Sequence, residues 1–466
     1  MTDRTCVTVV GGGLAGSECA LTLAGMGIPV RLFEMRPADS TKAHHGAGLA
    51  ELVCSNSLKS LRAASAAGML KCELTLMGSP LLRLAKQAQI PAGGALAVDR
   101  ERFSDAVTRA VCAEPLIELV RERVDVLPDG PCVIAAGPLC ADALFAELGA
   151  RLGGAALSFF DAAAPVVEAD SVDRGIAFAQ DRYGDAGGGD YLNCPFTRDE
   201  WHAFWTELVG AQRVVQRDFE GSDLFQACQP AEEVARKGED ALRFGACKPV
   251  GLVDPRTGRR PWAAVQLRAE NAQATAYNLV GFQTNLTWPE QRRVFRMIPG
   301  LGEAEFARFG VMHRNSFVDA PHVLDASFAV PGTQLRLAGQ ICGTEGYTEA
   351  IASGHLAALN TACDLRGDER VTLPTTTAFG ALVAYATDPA TRDYQPMHVN
   401  FGIMEPLAER PRGKRERYAA FAARGLSDLV RAMRARPGAY GCAPCLEELP
   451  QDARELLGLA AVAEQA

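Results

Sequence analysis

A glycine-rich turn near the start of the chain, between a strand and a helix, constrains the fold more than any other feature. The apolar run 7–10 predicts a buried parallel strand, and the Ala- and Leu-rich segment 17–24 predicts a helix. The G-x-G-x-x-G pattern between them consists of Gly11, Gly12, Gly13, Leu14, Ala15 and Gly16. In this pattern the first glycine allows the tight turn, the second lets backbone approach a pyrophosphate, and the third lets the helix pack on the strand. The diphosphate of a dinucleotide then lies against the positive end of the helix dipole.

An acidic residue at the end of the next strand strengthens this prediction. Residues 28–33 form a second apolar run, and Glu34 closes it about 20 residues after the glycines, where an acid meets a ribose hydroxyl in such sites. The glycine pattern alone is a weak signal, because many α/β proteins contain a glycine-rich turn. An ordinary turn leaves Glu34 unexplained, so the sequence predicts a dinucleotide site.

A second glycine-rich junction lies far downstream. The run 335–340 predicts another strand, and a small-residue helix is predicted over 351–360. The junction between them contains the candidate cofactor-binding residues Gly339, Gly343, Glu345 and Gly346. A nicotinamide dehydrogenase usually lacks this second junction, whereas two-part FAD folds have it. The sequence therefore predicts an α/β protein with a two-part, FAD-binding, Rossmann-like fold of the glutathione-reductase type.

The composition of the chain and the pattern of its predicted strands and helices divide it into four segments. A length of 466 residues is enough for two or three domains. We predict the first part of the FAD-binding domain over 1–155, its second part over 326–436, and a peripheral tail over 437–466. Between the two parts, residues 156–325 are richer in aromatic and polar residues and lose the regular strand–helix alternation. We interpret them as an inserted α+β domain that binds the substrate or RNA.

Composition limits the classes of function. The net charge of -9 argues against a protein that coats nucleic acid without specificity, although it allows a local basic face. No apolar run approaches the 18 residues of a membrane helix, and the first strand begins where a signal peptide would lie. We therefore expect no membrane association and a cytoplasmic location. Nothing in the sequence indicates a protein partner.

The cysteines fall into two kinds. Most of the 14 lie singly in apolar segments, as expected for buried free thiols in a reducing compartment. Cys442 and Cys445 form a single C-x-x-C pair without a second pair or a nearby His, so we predict no metal site. Cys54, by contrast, lies in a turn rich in Ser and Asn, where its thiol should be accessible.

Two polar segments allow more than one interpretation. His44 and His45 are adjacent, so on an extended segment they point to opposite sides, and a cofactor- or substrate-lining role is favoured over metal binding. The basic run 291–296 is interpreted equally well as a solvated helix face or as an RNA contact, because arginine pairs with phosphates and aromatic rings stack on bases.

Several motifs together resemble the folate- and FAD-dependent tRNA (uracil-5-)-methyltransferase family, TrmFO. The similarity extends over roughly residues 5–405, in the order expected for the family. The matching stretches are GGGLAGSE (11–18), FEMRP (33–37), AHHGAGLAELVCSNS (43–57), PAGGALAVDR (91–100), DYLNCP (190–195), KPVGL (248–252), YNLVGFQT (277–284), FRMIPGL (295–301) and QPMHVNFG (395–402). The LVCSNS block is rare outside this family.

The resemblance implies a specific chemistry. In this family 5,10-methylenetetrahydrofolate donates a one-carbon unit, reduced FAD carries it, NADPH or NADH supplies electrons, and carbon 5 of uridine 54 in the tRNA T-loop is methylated. The family pattern assigns the catalytic thiols to Cys228, which bonds to the uracil, and to Cys54, near the flavin. The chain departs from the family at Ala227, where glycine is common, and at Cys247, a competing thiol where Met or Leu is common.

Two alternatives remain open from sequence. Some relatives methylate a ribosomal RNA uridine instead, and the motifs concern flavin and folate more than the identity of the RNA. A flavin-dependent NAD(P)H oxidoreductase that acts on a small molecule, with cysteines that are merely structural, would also have this fold. That alternative leaves the LVCSNS block and the Arg-rich insert unexplained.

Overall fold

A computed structural model of the chain describes residues 5–41, 43–154, 156–182, 189–214, 229–391, 394–409 and 411–459, with the backbone alone for 156–161 and 312–314. The strands of these residues, in chain order, are β1 (Val7–Val10), β2 (Val30–Phe33), β3 (Ser57–Ser60), β4 (Gln89–Ile90), β5 (Ala95–Val98), β6 (Ile117–Val120), β7 (Cys132–Ile134), β8 (Ala156–Ala162), β9 (Val166–Glu168), β10 (Phe178–Ala179), β11 (Tyr191–Phe196), β12 (Ala263–Ala269), β13 (Ala276–Leu279), β14 (Phe306–Arg308), β15 (Met312–Val318) and β16 (Leu335–Leu337).

The helices of the same residues, in chain order, are α1 (Leu14–Gly25), α2 (Ala66–Leu76), α3 (Pro80–Gln87), α4 (Arg100–Ala113), α5 (Asp142–Arg151), α6 (Arg198–Gly210), α7 (Ala231–Arg236), α8 (Glu239–Phe244), α9 (Trp288–Phe295), α10 (Ala320–Val323), α11 (Tyr347–Arg366), α12 (Ala378–Thr387), α13 (Lys414–Ala435), α14 (Pro437–Tyr440) and α15 (Gln451–Leu456). Short 3-10 turns lie at Ala169–Ser171, Gln340–Cys342 and Leu446–Glu448.

A five-stranded parallel sheet organises the nucleotide-binding part. Its strand order is β16-β7-β1-β2-β6, so the late strand β16 joins strands from the start of the chain. The strands are short and apolar, and β1, β7 and β16 are almost wholly buried, as expected for a parallel sheet covered on both faces. The predicted two-part α/β fold is confirmed in this arrangement.

Helices α1 and α11 follow the two glycine junctions and pack on each other. Gly354 makes the close approach feasible, since a Cβ there would lie 2.1 Å from the Ala15 carbonyl oxygen. Elsewhere, two consecutive helices are separated by a short break. Helix α2 ends at Leu76, and α3 begins at Pro80 with the Ser79 hydroxyl accepting from the Leu82 amide.

The insert has its own antiparallel sheet and its own core. The strand order is β10-β11-β12-β13-β9-β14, and α6 covers one face. Trp201 and Phe204 of α6 pack on Phe196 of β11, with ring centroids 5.3 Å apart in each pair. Because these large side chains are buried in a cluster separate from that of the parallel sheet, the insert forms a second packing unit.

The backbones of β8 and β15 pair with each other. Strand β8 leads into this unit, and β15 leads out of it. The segment after 437 packs against the nucleotide-binding part, where the Asp452 carboxylate accepts from the Ala63 amide at 2.8 Å and Ala453 is fully buried. Among the described residues, no helix is both long enough and apolar enough to cross a membrane.

Candidate functional site: a nucleotide cradle and a cysteine turn

A cavity of about 430 Å³ opens at the carboxyl ends of the parallel strands. Residues at or just after the ends of β1, β2, β7 and β16 line it, which is the usual position of a ligand in an open α/β sheet. Both glycine junctions reach this cavity, and so does the turn that contains Cys54. Segments that are distant in sequence therefore form one site.

The three glycines of the first junction have distinct surroundings. Gly11 has a φ of +104°, and a Cβ at this position would lie 2.4 Å from the Ala135 carbonyl oxygen. A Cβ at Gly16 would lie 1.8 Å from the Gly11 oxygen, so the helix could not pack this closely. A Cβ at Gly13, however, would meet nothing within 4 Å, and Gly13 lines the cavity. The turn therefore leaves open space in front of Gly13, at the start of α1.

Glu34 and Arg36 form a buried pair beside this turn. The Arg36 Nε donates to Glu34 Oε1 at 2.9 Å, and the Gly12 amide donates to Glu34 Oε2 at 3.0 Å. Arg36 also donates to Glu51 at 2.8 Å. Burial alone raises the pKa of Glu34, but the hydrogen bonds and charge of Arg36 outweigh burial and hold the pKa below its usual value. Residues 11–16, Glu34 and Arg36 are called the nucleotide cradle below.

The second junction brings another helix N-terminus to the cavity. Gly346 is the N-cap of α11, as Gly13 is the N-cap of α1, and neither helix start has a side-chain cap. The segment 395–402 pairs with this junction, since the Met397 amide donates to the Gly343 carbonyl at 3.1 Å. His398 of that segment lines the cavity. Two helix N-termini thus face one space. The first turn of α1 has no acidic residue, whereas that of α11 has Glu349, so the start of α1 is the end that favours an anionic ligand.

The turn over residues 52–57, called the Cys54 turn, is attached to the second junction by a tyrosine. The Tyr347 hydroxyl accepts hydrogen bonds from the backbone amides of Cys54 and Ser55, at 2.9 and 3.0 Å. Tyr347 is the first residue of α11, and burial raises the pKa of its hydroxyl well above the usual value. The tyrosine therefore stays protonated, and its hydroxyl joins the Cys54 turn to the start of α11.

The insert holds the same turn from the other side. Arg268 of β12 is buried, and its guanidinium donates to Asn56 Oδ1 and to Ser55 Oγ, each at 2.7 Å. The Asn56 amide in turn donates to the Ala269 carbonyl at 2.9 Å. A further arginine, Arg308 of β14, has two buried guanidinium nitrogens without a hydrogen-bond partner among the described residues. The insert thus fixes the Cys54 turn and adds positive charge beside it.

The structure separates the predicted cofactor-binding residues into two groups. Those that line the cavity are Gly11, Gly13, Leu14, Ala15, Glu34, Gly339, Glu345 and Gly346. Gly12, Gly16 and Gly343 do not line it and instead support the backbone: Gly12 donates to Glu34, Gly16 packs on Gly11, and Gly343 lies against the Tyr394 hydroxyl.

The candidate thiols are also distinguished. Cys54 is partly exposed and lines the cavity. Cys228 lies outside the described residues. Cys247 is fully buried, and burial raises its pKa to about 12, so it is a protonated thiol at neutral pH. His44 lines the cavity, and burial together with the charge of Arg36 lowers its pKa to about 4, so it is neutral there.

Three of the residues that shape the site are not among those predicted from the sequence. Arg36 follows Glu34 by only two positions, so the sequence could have predicted that the two side chains pair. The contacts of Tyr347 and Arg268 could not be predicted in this way, because their partners lie more than 200 positions away.

Comparison with known proteins places this architecture in a family. The family model described as Glucose inhibited division protein A matches residues 6–369. The methylenetetrahydrofolate–tRNA-(uracil-5-)-methyltransferase TrmFO of Geobacter sulfurreducens is 52% identical over 425 residues, which are 91% of this chain and 98% of that protein. The enzyme of the same name from Acetivibrio thermocellus is 49% identical over 425 residues, 91% and 97% of the two chains. The chain belongs to the TrmFO family.

A solved structure supports the fold of this TrmFO-family chain independently. Aquifex aeolicus GidA in its form II crystal superposes with a TM-score of 0.69 at 16% identity, covering 98% of this chain and 76% of that one. The relatives confirm the family inferred from the motifs, and the solved structure confirms the fold.

The residues of the cavity fit an FAD-type dinucleotide. The open space in front of Gly13 and the uncapped start of α1 suit a diphosphate, and Glu34 lines the same cavity with a carboxylate. The start of α11 supplies a second set of N–H groups further along the cavity.

Proposed function

We propose that this chain methylates carbon 5 of uridine 54 in the T-loop of tRNA. In this proposal the one-carbon unit comes from 5,10-methylenetetrahydrofolate, electrons come from NADPH or NADH, and FAD is bound in the nucleotide cradle. The relatives named TrmFO support the reaction class. One structural observation carries the proposal for this chain: the Cys54 turn and the nucleotide cradle line the same cavity. A reaction on tRNA would take place in the cytoplasm.

The chemistry explains why a thiol is needed. Carbon 5 of uracil is a weak nucleophile, and a thiolate that adds to carbon 6 moves an electron pair into the ring and gives an enolate. The enolate attacks the one-carbon unit from carbon 5, and loss of the proton on carbon 5 then breaks the bond between that unit and its carrier, which leaves an exocyclic methylene on the ring. A hydride added to this methylene gives the methyl group, and its electron pair moves through the ring and expels the thiolate from carbon 6. NADPH or NADH is the source of this hydride here. Bound FAD supplies the carrier and redox chemistry that side chains lack.

We assign the thiolate that adds to uracil to Cys228. The described residues on both sides of it support this assignment. The Ala231 amide donates to the Gln283 carbonyl at 2.7 Å, and the Val214 amide donates to the Asn285 carbonyl at 2.8 Å. Gln283 itself lines the cavity. The chain before and after Cys228 is therefore attached beside the site. We assign Cys54 to the flavin side, as the acceptor of the carbon 5 proton.

Trapping with 5-fluorouridine tests these roles. Fluorine on carbon 5 cannot leave as a proton does, so the wild-type protein should form a covalent complex with T-arm RNA carrying 5-fluorouridine at position 54, stable in denaturant. Cys228→Ala should form no complex while keeping its FAD. Cys54→Ala should still form the complex but should not methylate ordinary RNA.

Cys247→Ala is the matched control. This thiol is buried and protonated, so the variant should form the adduct as the wild type does. An adduct in Cys228→Ala together with its loss in Cys54→Ala or Cys247→Ala would overturn the assignment. Mass spectrometry of RNA from a deletion strain identifies the substrate, since tRNA that keeps its methyl group while ribosomal RNA loses one would contradict the proposal.

A further inference from the structure

The insert contains a second cavity, of about 660 Å³, away from the nucleotide cradle. It lies where β11 ends and β12 begins. We call this site the arginine pocket, after the charged side chains of its lining, which are Arg198, Arg243, Arg256, Arg259, Arg260 and Asp254; Trp262 completes the wall. Five cations and one anion therefore surround one concavity, in a chain whose net charge is -9. Such local concentration of charge indicates an anionic ligand.

The five arginines differ in their ion pairing. Arg243 pairs with Asp240, and Arg256 pairs with Asp254. Among the described residues, no ion pair engages Arg198, Arg259 or Arg260, which are all exposed. The charges of these three arginines are thus available to a ligand.

A closed hairpin presents two of the arginines. The Asp254 amide donates to the Arg259 carbonyl at 2.9 Å, and the Gly258 amide donates back to the Asp254 carbonyl at 2.8 Å. The buried Asp254 carboxylate accepts from the backbone amide of Arg256, at 2.9 Å, and from its guanidinium. The turn is therefore fixed, and Arg259 and Arg260 leave it in the direction of β12.

Aromatic rings accompany the guanidinium groups. The Arg243 guanidinium lies 4.2 Å from the ring centroid of Phe244 and 4.4 Å from that of Trp262, and Arg198 lies 5.4 Å from Trp262. Phe244 is 69% exposed and Trp262 36%. Flat cationic and aromatic groups beside arginines that have no described ion pair are what a single-stranded or looped RNA needs, since bases stack on the rings and phosphates pair with the arginines.

Helix α9, whose basic run could also suit RNA, differs in this respect. Arg293 pairs with Glu290 and Glu207, and Arg296 donates to the Ala304 carbonyl. Arg292 lies over Phe309. Two of the three arginines on this helix or at its end thus serve internal contacts, whereas three arginines of the arginine pocket have no ion pair within the described part of the chain.

The pocket also lies at a suitable distance from the proposed reaction. Strand β12 begins at the pocket, beside Trp262, and reaches the Cys54 turn at Arg268. Five residue steps separate Ala263 from Arg268, which is about 17 Å along a strand. One arm of a folded RNA is long enough to contact both ends.

We propose that the arginine pocket binds the backbone and an unpaired base of the tRNA substrate while the target uridine occupies the Cys54 cavity. This inference rests on the proposed function, because it takes tRNA as the substrate. It adds a binding surface that lies outside the catalytic cavity.

Binding of unmodified tRNA to the FAD-loaded protein at several salt concentrations tests this surface. The double variant Arg259→Gln and Arg260→Gln should weaken tRNA binding at least about tenfold near 0.1 M salt. The fall of log K with log salt should also become less steep, by about 0.7–0.9 for each phosphate that no longer pairs with an arginine. The kcat at saturating tRNA should stay near the wild-type value while KM rises. The control, Arg431→Gln with Arg434→Gln, removes the same charge from exposed positions of α13. It should change neither the affinity for tRNA nor its salt dependence, and the KM should stay at the wild-type value.

Trp262→Ala separates stacking from charge. It should weaken tRNA binding about five- to tenfold without changing the salt slope, because base stacking is not an ionic interaction, and Trp262→Phe should restore part of the affinity. Unchanged flavin absorbance and NAD(P)H oxidation show that each variant is folded. If the Arg259/Arg260 variant binds tRNA as tightly as the wild type, and the wild type methylates tRNA normally, then the proposal for the arginine pocket is wrong and the proposed function stands. A wild-type protein that neither binds nor methylates tRNA overturns the proposed function together with it.

Discussion

The nucleotide cradle and the Cys54 turn line one cavity, but they are held in place by different kinds of contact. In the cradle, Glu34 bonds to Gly12 and to Arg36, which lie 22 and 2 positions away in sequence. The Cys54 turn is held by Tyr347, 293 positions from Cys54, and by Arg268, 212 positions from Asn56. One region is local and the other is assembled from three segments of the chain.

This difference indicates how the two regions should respond to change. The cradle depends on residues near the amino terminus, so alterations in the insert should leave cofactor binding intact. The Cys54 turn depends on α11 and on the insert, so the same alterations should impair the proposed methyl transfer. A single cavity thus combines a cradle whose polar contacts lie outside the insert with a reactive turn that depends on the domain proposed to bind RNA.

The largest effect is expected from Gly13→Val. Gly13 has a φ of -73°, which a valine adopts without strain, and its Cβ would enter open space. The folded protein should therefore lose FAD because the side chain occupies the position of the diphosphate. We expect FAD binding to weaken at least about 1000-fold, or about 4 kcal/mol, with colourless protein after purification.

The control for this prediction lies at the other end of the same helix. Gly25→Val also places a side chain in open space, but away from the cavity, so it should keep the flavin absorbance of the wild type. Normal FAD content in Gly13→Val would show that the diphosphate is not bound at this turn.

A smaller and more selective effect is expected from Arg268→Met. The substitution removes two hydrogen bonds from a charged donor to the Cys54 turn, each worth about 1.5–3 kcal/mol. Methylation should fall about 100-fold while FAD content stays normal, and alkylation of Cys54 should change in rate. Arg31→Met removes an exposed arginine that pairs with Glu118 and should change none of these quantities. Loss of FAD from Arg268→Met would contradict the independence of the cradle.

The same contrast explains what the sequence could predict. The glycine junctions, Glu34 and the parallel sheet follow from short-range patterns, because each contact partner lies in a regular element or in the turn beside it. The break between α2 and α3 has a local cause of the same kind, since it lies at Gly78, Ser79 and Pro80.

The contacts of the Cys54 turn could not be predicted. Their partners are single residues in strands and helices whose pairing depends on the tertiary fold, and a lone Tyr or Arg in an amphipathic element has no local signature. The arginine pocket illustrates the same limit. The run 291–296 was the conspicuous basic stretch, whereas the arginines of the pocket at 198, 259 and 260 come from two separate elements.

A moderate effect is expected from Tyr347→Phe. The phenol oxygen accepts from two backbone amides of the Cys54 turn, and phenylalanine leaves both donors without that partner. Methylation should fall about tenfold or less, in line with the modest net value of neutral hydrogen bonds. FAD should remain bound, since Tyr347 contributes no charge to the cradle. An unchanged rate would mean that Arg268 alone fixes the turn.

The smallest effect concerns stability and compares two buried glutamates, Glu34 of the cradle and Glu232 of the insert. Arg36 holds the pKa of Glu34 below its usual value, so Glu34 stabilises the fold above its unfolded-state pKa, and this stabilisation is lost as the pH falls through the lower folded-state value. Glu232 in the insert accepts from the Asn285 amide and the Thr284 hydroxyl, with no cation bonded to it among the described residues, and burial raises its pKa to about 7. The folded state therefore binds a proton at Glu232 more tightly than the unfolded state does.

The pH dependence of stability that Glu232 causes has the opposite sign to that caused by Glu34. Its contribution to the free energy of unfolding is fully present below the unfolded-state pKa, near 4.5, and is lost as the pH rises towards 7. The slope is at most about 1.4 kcal/mol per pH unit over this interval. Thermal unfolding of Glu232→Gln should therefore depend less on pH between 5 and 7 than that of the wild type. Glu303→Gln, which removes an exposed carboxylate from the same insert, should keep the wild-type slope, and an equal slope in Glu232→Gln would mean that this carboxyl is already ionised in the folded insert at pH 5.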